Sequence, residues 1–167
     1  MSSTEENLRA SFAGESQANR RYLFFADKAE KEGYSQVARL FRAVAEAETV
    51  HARSHFNAMD GIGSTSENLL AAIMGEHHEF TRMYPPFIEQ AESVNNERAQ
   101  VSFEHANEVE QIHHGYFEEA RKALEAGRQL KNETYFVCQT CGNTVVDEVP
   151  ETCLVCDTSR TQFKHVE

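Results

Sequence analysis

No apolar run in the 167 residues approaches the roughly 18 residues that a membrane-spanning helix needs, so no membrane partner is expected. Positive charge is in short supply. Sixteen Lys and Arg face 27 Asp and Glu, leaving a net charge of −11. A surface of that sign repels polyanions, which excludes nucleic acid. The opening stretch MSSTEENLRASF has no basic segment followed by an apolar one, so no secretion signal is visible and a cytoplasmic location is expected. Cysteine is missing until position 138, after which all four occur as CQTC (138–141) and CLVC (153–156). In a reducing compartment, two C-x-x-C pairs read as a metal site rather than as disulfides.

Glycine and proline are scarce between 4 and 126, where Ala, Glu, Arg, Leu and Gln dominate. That composition favours helix. Four helices are predicted, at 4–32, 35–59, 66–92 and 97–126. Ser3 and Glu6 fit a capping box at the first start. Gly33 marks a stop, and Ser35 can begin the next helix. Residues 60–70 read as a turn and a new N-terminus, and Asn95 or Asn96 caps the fourth helix. Pro85 and Pro86 should kink or pause the third helix near Tyr84. A polar linker at 126–134 precedes a segment rich in turns and β-branched residues, about 34 residues long and too small to be held by an apolar core alone. A metal cross-link is expected there. The predicted organisation is a helical domain at 1–130 and a cysteine module at 131–167, with a mainly α fold.

The helical part repeats itself. AGESQANRRY (13–22) aligns with MGEHHEFTRMY (74–84), and FRAVAEAETVHARSHF (41–56) with FEHANEVEQIHHGYF (103–117). The alignment sets Gly14–Glu15 on Gly75–Glu76, Phe41 on Phe103, Glu48 on Glu110 and His51 on His113. The offsets are 61 residues at the first match and 62 at the second. Each copy thus supplies one lone Glu behind a Gly and one Glu-x-x-His, whose members share a helix face. A lone Glu from each of two helices plus Glu-x-x-His from each of the other two is the donor pattern of a carboxylate-bridged di-metal site in a four-helix bundle. The oxygen-rich mixture with imidazole suits iron or manganese better than zinc. Phe12, Leu40, Phe41, Ile73 and Phe103 flank the acids at helical spacing. Acids at matched depth in an apolar interior repel one another unless a cation lies among them. Gly14 and Gly75 suggest close helix approach, since Gly inside a helix costs about 1 kcal/mol relative to Ala.

FAGESQANRRY, AEAETVHARSHF, GEHHEFTRMYP and YFVCQTCG resemble the patterns of the rubrerythrins, and the likeness spans essentially the whole chain. The resemblance implies a ferritin-like four-helix bundle with a di-iron (Fe2+/Fe3+) centre, followed by a rubredoxin-like module. It implies oxidative-stress defence by reduction of hydrogen peroxide to water, with electrons relayed through the cysteine-bound iron. The redox donor would be a rubredoxin or an NAD(P)H-dependent reductase. Carried over by position, Glu48 and Glu110 bridge the irons, Glu15 and Glu76 are terminal ligands, and His113 binds one iron. Glu79, which falls where the first copy has Ala18, binds the oxidised iron that His51 takes on reduction. Tyr22 and Tyr84 match tyrosines near the site. His55, His77, His78, His105 and His114 match no role and read as surface or as neighbours of the ligands.

The spacing of Cys138, Cys141, Cys153 and Cys156 suits a tetrahedral site for iron or, alternatively, zinc. The family reading favours iron. Leu154 and Asp157 depart from the Pro and Gly usual after the third and fourth cysteines. A length argument bears on assembly. In a ferritin-like bundle the second and third helices run parallel, so their link must cover about 33 Å when helices rise 1.5 Å per residue, whereas residues 60–66 stretch only about 20 Å. Two chains exchanging helical hairpins in a homodimer resolve this. An up-down-up-down bundle within one chain is the alternative. Two rival functions remain on the residues alone: a ferroxidase or iron-handling oxidase, and a zinc ribbon on a helical interaction scaffold.

Overall fold

The structure, a computed structural model, describes residues 2–167. Contacts divide the chain into two compact units, Met1–Gly63 and Ser64–Glu167.

The first unit is a helical hairpin, α1 (Thr4–Lys31) and α2 (Ser35–Ala58). α1 starts where expected. Glu6 N–H donates to Ser3 Oγ and Ser3 N–H to the Glu6 carboxylate, a reciprocal capping box. It stops at Gly33, whose φ of 85° is the left-handed conformation that glycine adopts without a Cβ penalty. Tyr34 N–H then reaches back to Ala29 O. The hairpin closes on an alanine seam. Ala18, Ala26, Ala38, Ala45 and Ala52 are buried, and small side chains let the two backbones approach closely. Asn19, also buried, donates to Ala45 O and Thr49 Oγ1 at 2.7 and 2.9 Å, tying the helices with satisfied polar atoms. Leu40, expected to flank the acids, is instead exposed, as are Phe24 and Val50.

The second unit opens with α3 (Thr65–His78), capped by a second reciprocal box between Ser64 and Glu67. A π-helical turn follows at Glu79–Met83, then α4 (Tyr84–Ser93) and α5 (Glu97–Glu125), which Asn96 caps through Ala99 N–H. The interruption expected near the two prolines is therefore this π turn. Tyr84 N–H bonds back five residues to Glu79 O. Pro85 and Pro86 then occupy the start of α4, where missing N–H groups cost least.

The two hairpins match in detail. Asn95 (φ 52°) ends α4 as Gly33 ends α1, and Asn96 N–H reaches back to Ala91 O as Tyr34 does to Ala29 O. Tyr22, Phe25 and Phe41 pack as a ring triad, and Tyr84, Phe87 and Phe103 repeat it 62 residues later. The Phe25–Phe41 and Phe87–Phe103 centroids are both 5.6 Å apart.

The cysteine module completes the second unit. It is a three-stranded antiparallel sheet of order β2-β1-β3, with β1 Tyr135–Cys138, β2 Thr144–Val146 and β3 Phe163–Val166. It docks on α5, where Tyr116 Oη donates to Thr144 O at 3.1 Å. Among the described residues, no helix is long and apolar enough to cross a membrane.

Candidate metal centres

Each hairpin assembles three of the expected donors. Glu15 on α1 meets Glu48 and His51 on α2, with one ligand atom from each lying within 4.8 Å of the others. Glu76 on α3 meets Glu110 and His113 on α5 within the same limit. Helical i, i+3 spacing fixes both Glu–His pairs. Glu48 Oε2 lies 3.0 Å from His51 Nδ1, and Glu110 Oε2 lies 2.8 Å from His113 Nδ1. The four carboxylates are half-buried. Among the described residues, nothing lies within 4 Å of where a Cβ would sit on Gly14 or Gly75, so neither hairpin makes the expected close approach at its own glycine.

The electrostatics of the second set are those of crowded acids. Burial pushes Glu76 up to about 7, and the nearby Glu110 charge adds to it. Glu79 is raised for the same two reasons, which puts its carboxylate in the field of the set. The hydrogen bond to Glu110 raises His113. Burial, then the charges of Glu79, Glu110 and Glu76, raise Tyr84 and keep its hydroxyl protonated. Protons are what a carboxylate cluster takes when it lacks a cation. The donor set of two oxygens and an imidazole per hairpin fits a hard-to-intermediate divalent metal.

The π turn explains a detail of the repeat. Glu15 to Tyr22 spans seven residues, and Glu76 to Tyr84 spans eight. One residue inserted into a helix is absorbed as a π turn, and Glu79 stands at its first position. The change of offset from 61 to 62 was the signal for it. Tyr22 is half-buried within its ring triad. Of the histidines without an expected role, His77 and His78 are exposed, while His55, His105 and His114 are half-buried. The His114 ring packs on His77 and Phe80.

The four cysteines form the other centre. Cys138 and Cys156 Sγ are 3.7 Å apart, and Cys141 and Cys153 Sγ 3.6 Å. A tetrahedron with metal–sulfur bonds of about 2.3 Å has edges of about 3.8 Å, so the set fits one ion. Gly142 N–H donates to Cys138 O and Asp157 N–H to Cys153 O, giving two matching turns. Gly142 has φ 88° and Asp157 φ 56°, so Asp takes the left-handed position where glycine was expected. Leu154 is exposed to solvent. Asn143, almost wholly buried, sends its side-chain amide to Cys153 Sγ at 3.6 Å. Burial alone would raise Cys153, but N–H groups of Val155, Cys156 and Asn143 outweigh it and bring the thiol to about 7. Burial pushes Cys141 the other way, upward.

A family model, Rubrerythrin, matches residues 6–121. Rubrerythrin-2 of Clostridium acetobutylicum is 34% identical over 175 residues, covering 96% of this chain and 95% of that protein. Rubrerythrin of Nitratidesulfovibrio vulgaris is 33% identical, covering 98% and 94%. The chain belongs to the rubrerythrin family. Solved structures of nigerythrin agree. Its mixed-valence state superposes with a TM-score of 0.56 at 30% identity, over 99% of this chain and 88% of that one. The fold is mainly α and ferritin-like, with a rubredoxin-like cysteine module. As a family member the chain is a di-iron oxidoreductase of oxidative-stress defence, with a further metal site among its four cysteines.

Proposed function

We propose that the chain is a peroxidase that takes up hydrogen peroxide, two electrons and two protons and releases two waters. The observation that carries this reading is the pair of matched Glu, Glu-x-x-His sets beside a four-cysteine centre in one chain. Bound among those acids, an iron pair supplies two electrons to an O–O bond and Lewis acidity toward the departing oxygen. Glu15, Glu48, Glu76, Glu110 and His113 would hold the pair, with Glu48 and Glu110 as the shared carboxylates and Glu15 and Glu76 as the terminal ones. Glu79 and His51 would both serve the metal that His113 does not hold, the carboxylate suiting the more positive state and the neutral imidazole the less. Tyr84 and Tyr22 are hydroxyl donors that orient carboxylates or the incoming peroxide. Cys138, Cys141, Cys153 and Cys156 would hold the ion that accepts electrons from a rubredoxin or an NAD(P)H-dependent reductase. In functional terms, residues 1–130 serve as the di-iron domain and 131–167 as the electron-entry domain of a cytoplasmic protein.

The assembly belongs to the same proposal. Ten residues separate Glu48 from the end of α2 and eleven separate the start of α3 from Glu76. A parallel ferritin-like pairing therefore needs a link of about 31 Å, while residues 59–64 span at most about 25 Å. A homodimer that exchanges hairpins removes the conflict. Each centre then takes Glu15, Glu48 and His51 from one chain and Glu76, Glu110 and His113 from the other. The test mixes a Glu48→Ala chain with a Glu110→Ala chain after mild unfolding. Exchange restores one complete centre per mixed dimer, so turnover returns from two inactive parents. No recovery means that each chain completes its own centre.

The reaction is tested by reducing the iron-loaded protein anaerobically and mixing it with peroxide or with oxygen. Reoxidation by peroxide should outrun that by oxygen by at least about tenfold. Fast oxygen reaction with sluggish peroxide reaction would establish the iron-handling oxidase instead.

A further inference from the structure

The repeat makes His51 and His113 equivalents, yet their surroundings differ. Both turn Nδ1 toward the Glu of their own motif. The His51 ring is more than half exposed. The His113 ring is half-buried, and its second nitrogen, Nε2, lies 3.0 Å from Thr144 Oγ1 in the cysteine module. Thr144 is the first residue of β2 and follows Cys141 by three. Its hydroxyl also lies 3.4 Å from Gly142 O, and its own carbonyl accepts the Tyr116 hydroxyl from α5. Gly142 packs on α5 as well, since a Cβ there would meet Val109 Cγ1 at 3.9 Å.

The hydrogen bonds have a direction once Nδ1 is given to a metal. The ring proton must then sit on Nε2, which donates to Thr144 Oγ1, and the threonine hydroxyl donates in turn to Gly142 O. Such a partner on the far nitrogen fixes the tautomer and ring orientation of a ligand histidine. Among the described residues nothing plays this part for His51, whose repeat carries no cysteine module.

We propose that Thr144 is a positioning residue: its hydroxyl fixes the His113 ring, so that docking of the cysteine module holds one histidine of the duplicated pair through a contact that the other lacks. The inference rests on the reading of His113 as a metal ligand. It goes further by assigning the asymmetry between the two histidines to a residue outside the helices. It also makes the cysteine module a part of the di-metal site's construction as well as its source of electrons.

The test compares Thr144→Val, which keeps the shape and removes the hydroxyl, with Thr144→Ser, which keeps the hydroxyl. Both are studied as full chains with the cysteine iron in place, judged by its visible absorption. If Thr144→Val loses that absorption, Thr144→Ala replaces it as the hydroxyl-free variant. Anaerobic Fe2+ titration should show binding at the helical site weakened about tenfold in the hydroxyl-free variant and unchanged in Thr144→Ser. In protein loaded with Zn2+, the slowly exchanging imidazole N–H resonance of His113 should vanish in the former and persist in the latter. Wild-type affinity and an intact resonance without the hydroxyl overturn the proposal, and so does equal loss in Thr144→Ser. Peroxide turnover plays no part in these readings. A protein that shows them and ignores peroxide sinks the peroxidase reading and leaves this one standing.

Discussion

The two hairpins carry the same three donors, the same ring triad and the same helix stop, but they are not copies in function. The first is regular throughout, with Ala18 buried in its seam. The second has gained one residue, a π turn and Glu79 at the head of that turn. It also carries the cysteine module against His113. In the shared centre proposed above, duplication would supply a symmetric cage for two metals. The insertion and the docked module would make its two sides chemically different.

The comparison breaks most sharply where the halves should be equivalent. Glu48→Ala and Glu110→Ala should each lose both irons of the pair, measured by metal analysis, with the cysteine iron retained. Loss of a single iron from either variant would mean two independent sites. Glu79→Ala gives the second hairpin the residue of the first. It should keep its metals when reduced, hold them less firmly when oxidised, and turn over peroxide about tenfold more slowly or worse, on the scale seen when a group supporting a metal site is removed. Stopped-flow reoxidation reads this, and an unchanged rate would remove Glu79 from the mechanism.

Smaller effects follow from protonation. The folded pKa of Glu76, about 7, lies above the 4.5 of an ordinary carboxyl. In metal-free protein its contribution to stability is therefore present in full below about pH 4.5 and fades as pH rises through about 7. Iron must displace that proton. Anaerobic Fe2+ titration should release more protons at pH 6 than at pH 8, and equal release at both would show that Glu76 is already ionised. The smallest effect concerns Gly14 and Gly75. An open helix position should gain about 1 kcal/mol from Gly→Ala. With a partner's helix packed there, Gly14→Ala and Gly75→Ala should instead weaken the dimer, as sedimentation at falling concentration would reveal.

Much of this was legible in the residues. The helix limits followed from Ser3, Gly33 and the Asn95–Asn96 pair, because caps and left-handed stops are local chemistry that sequence states directly. The donors followed from the repeat, because i, i+3 spacing fixes which side chains share a face. The π turn was present only as the slip in offset and was masked by Pro85 and Pro86, which predict a break in nearly the same place. The Thr144–His113 contact had no local signal. Which face of a small β module meets which helix is decided by tertiary packing across 31 residues, and no periodicity encodes it. Leu40 was read as flanking the acids and is exposed, since an apolar residue at helical spacing identifies a face without stating what covers it.

The most direct measurement is anomalous diffraction at the iron edge from crystals loaded anaerobically. Two iron peaks about 3.5–4 Å apart, bridged by Glu48 and Glu110, with a third between the four cysteines, are predicted. One iron in each hairpin, held separately by Glu15, Glu48 and His51 and by Glu76, Glu110 and His113, would contradict the shared centre and the peroxide chemistry built on it.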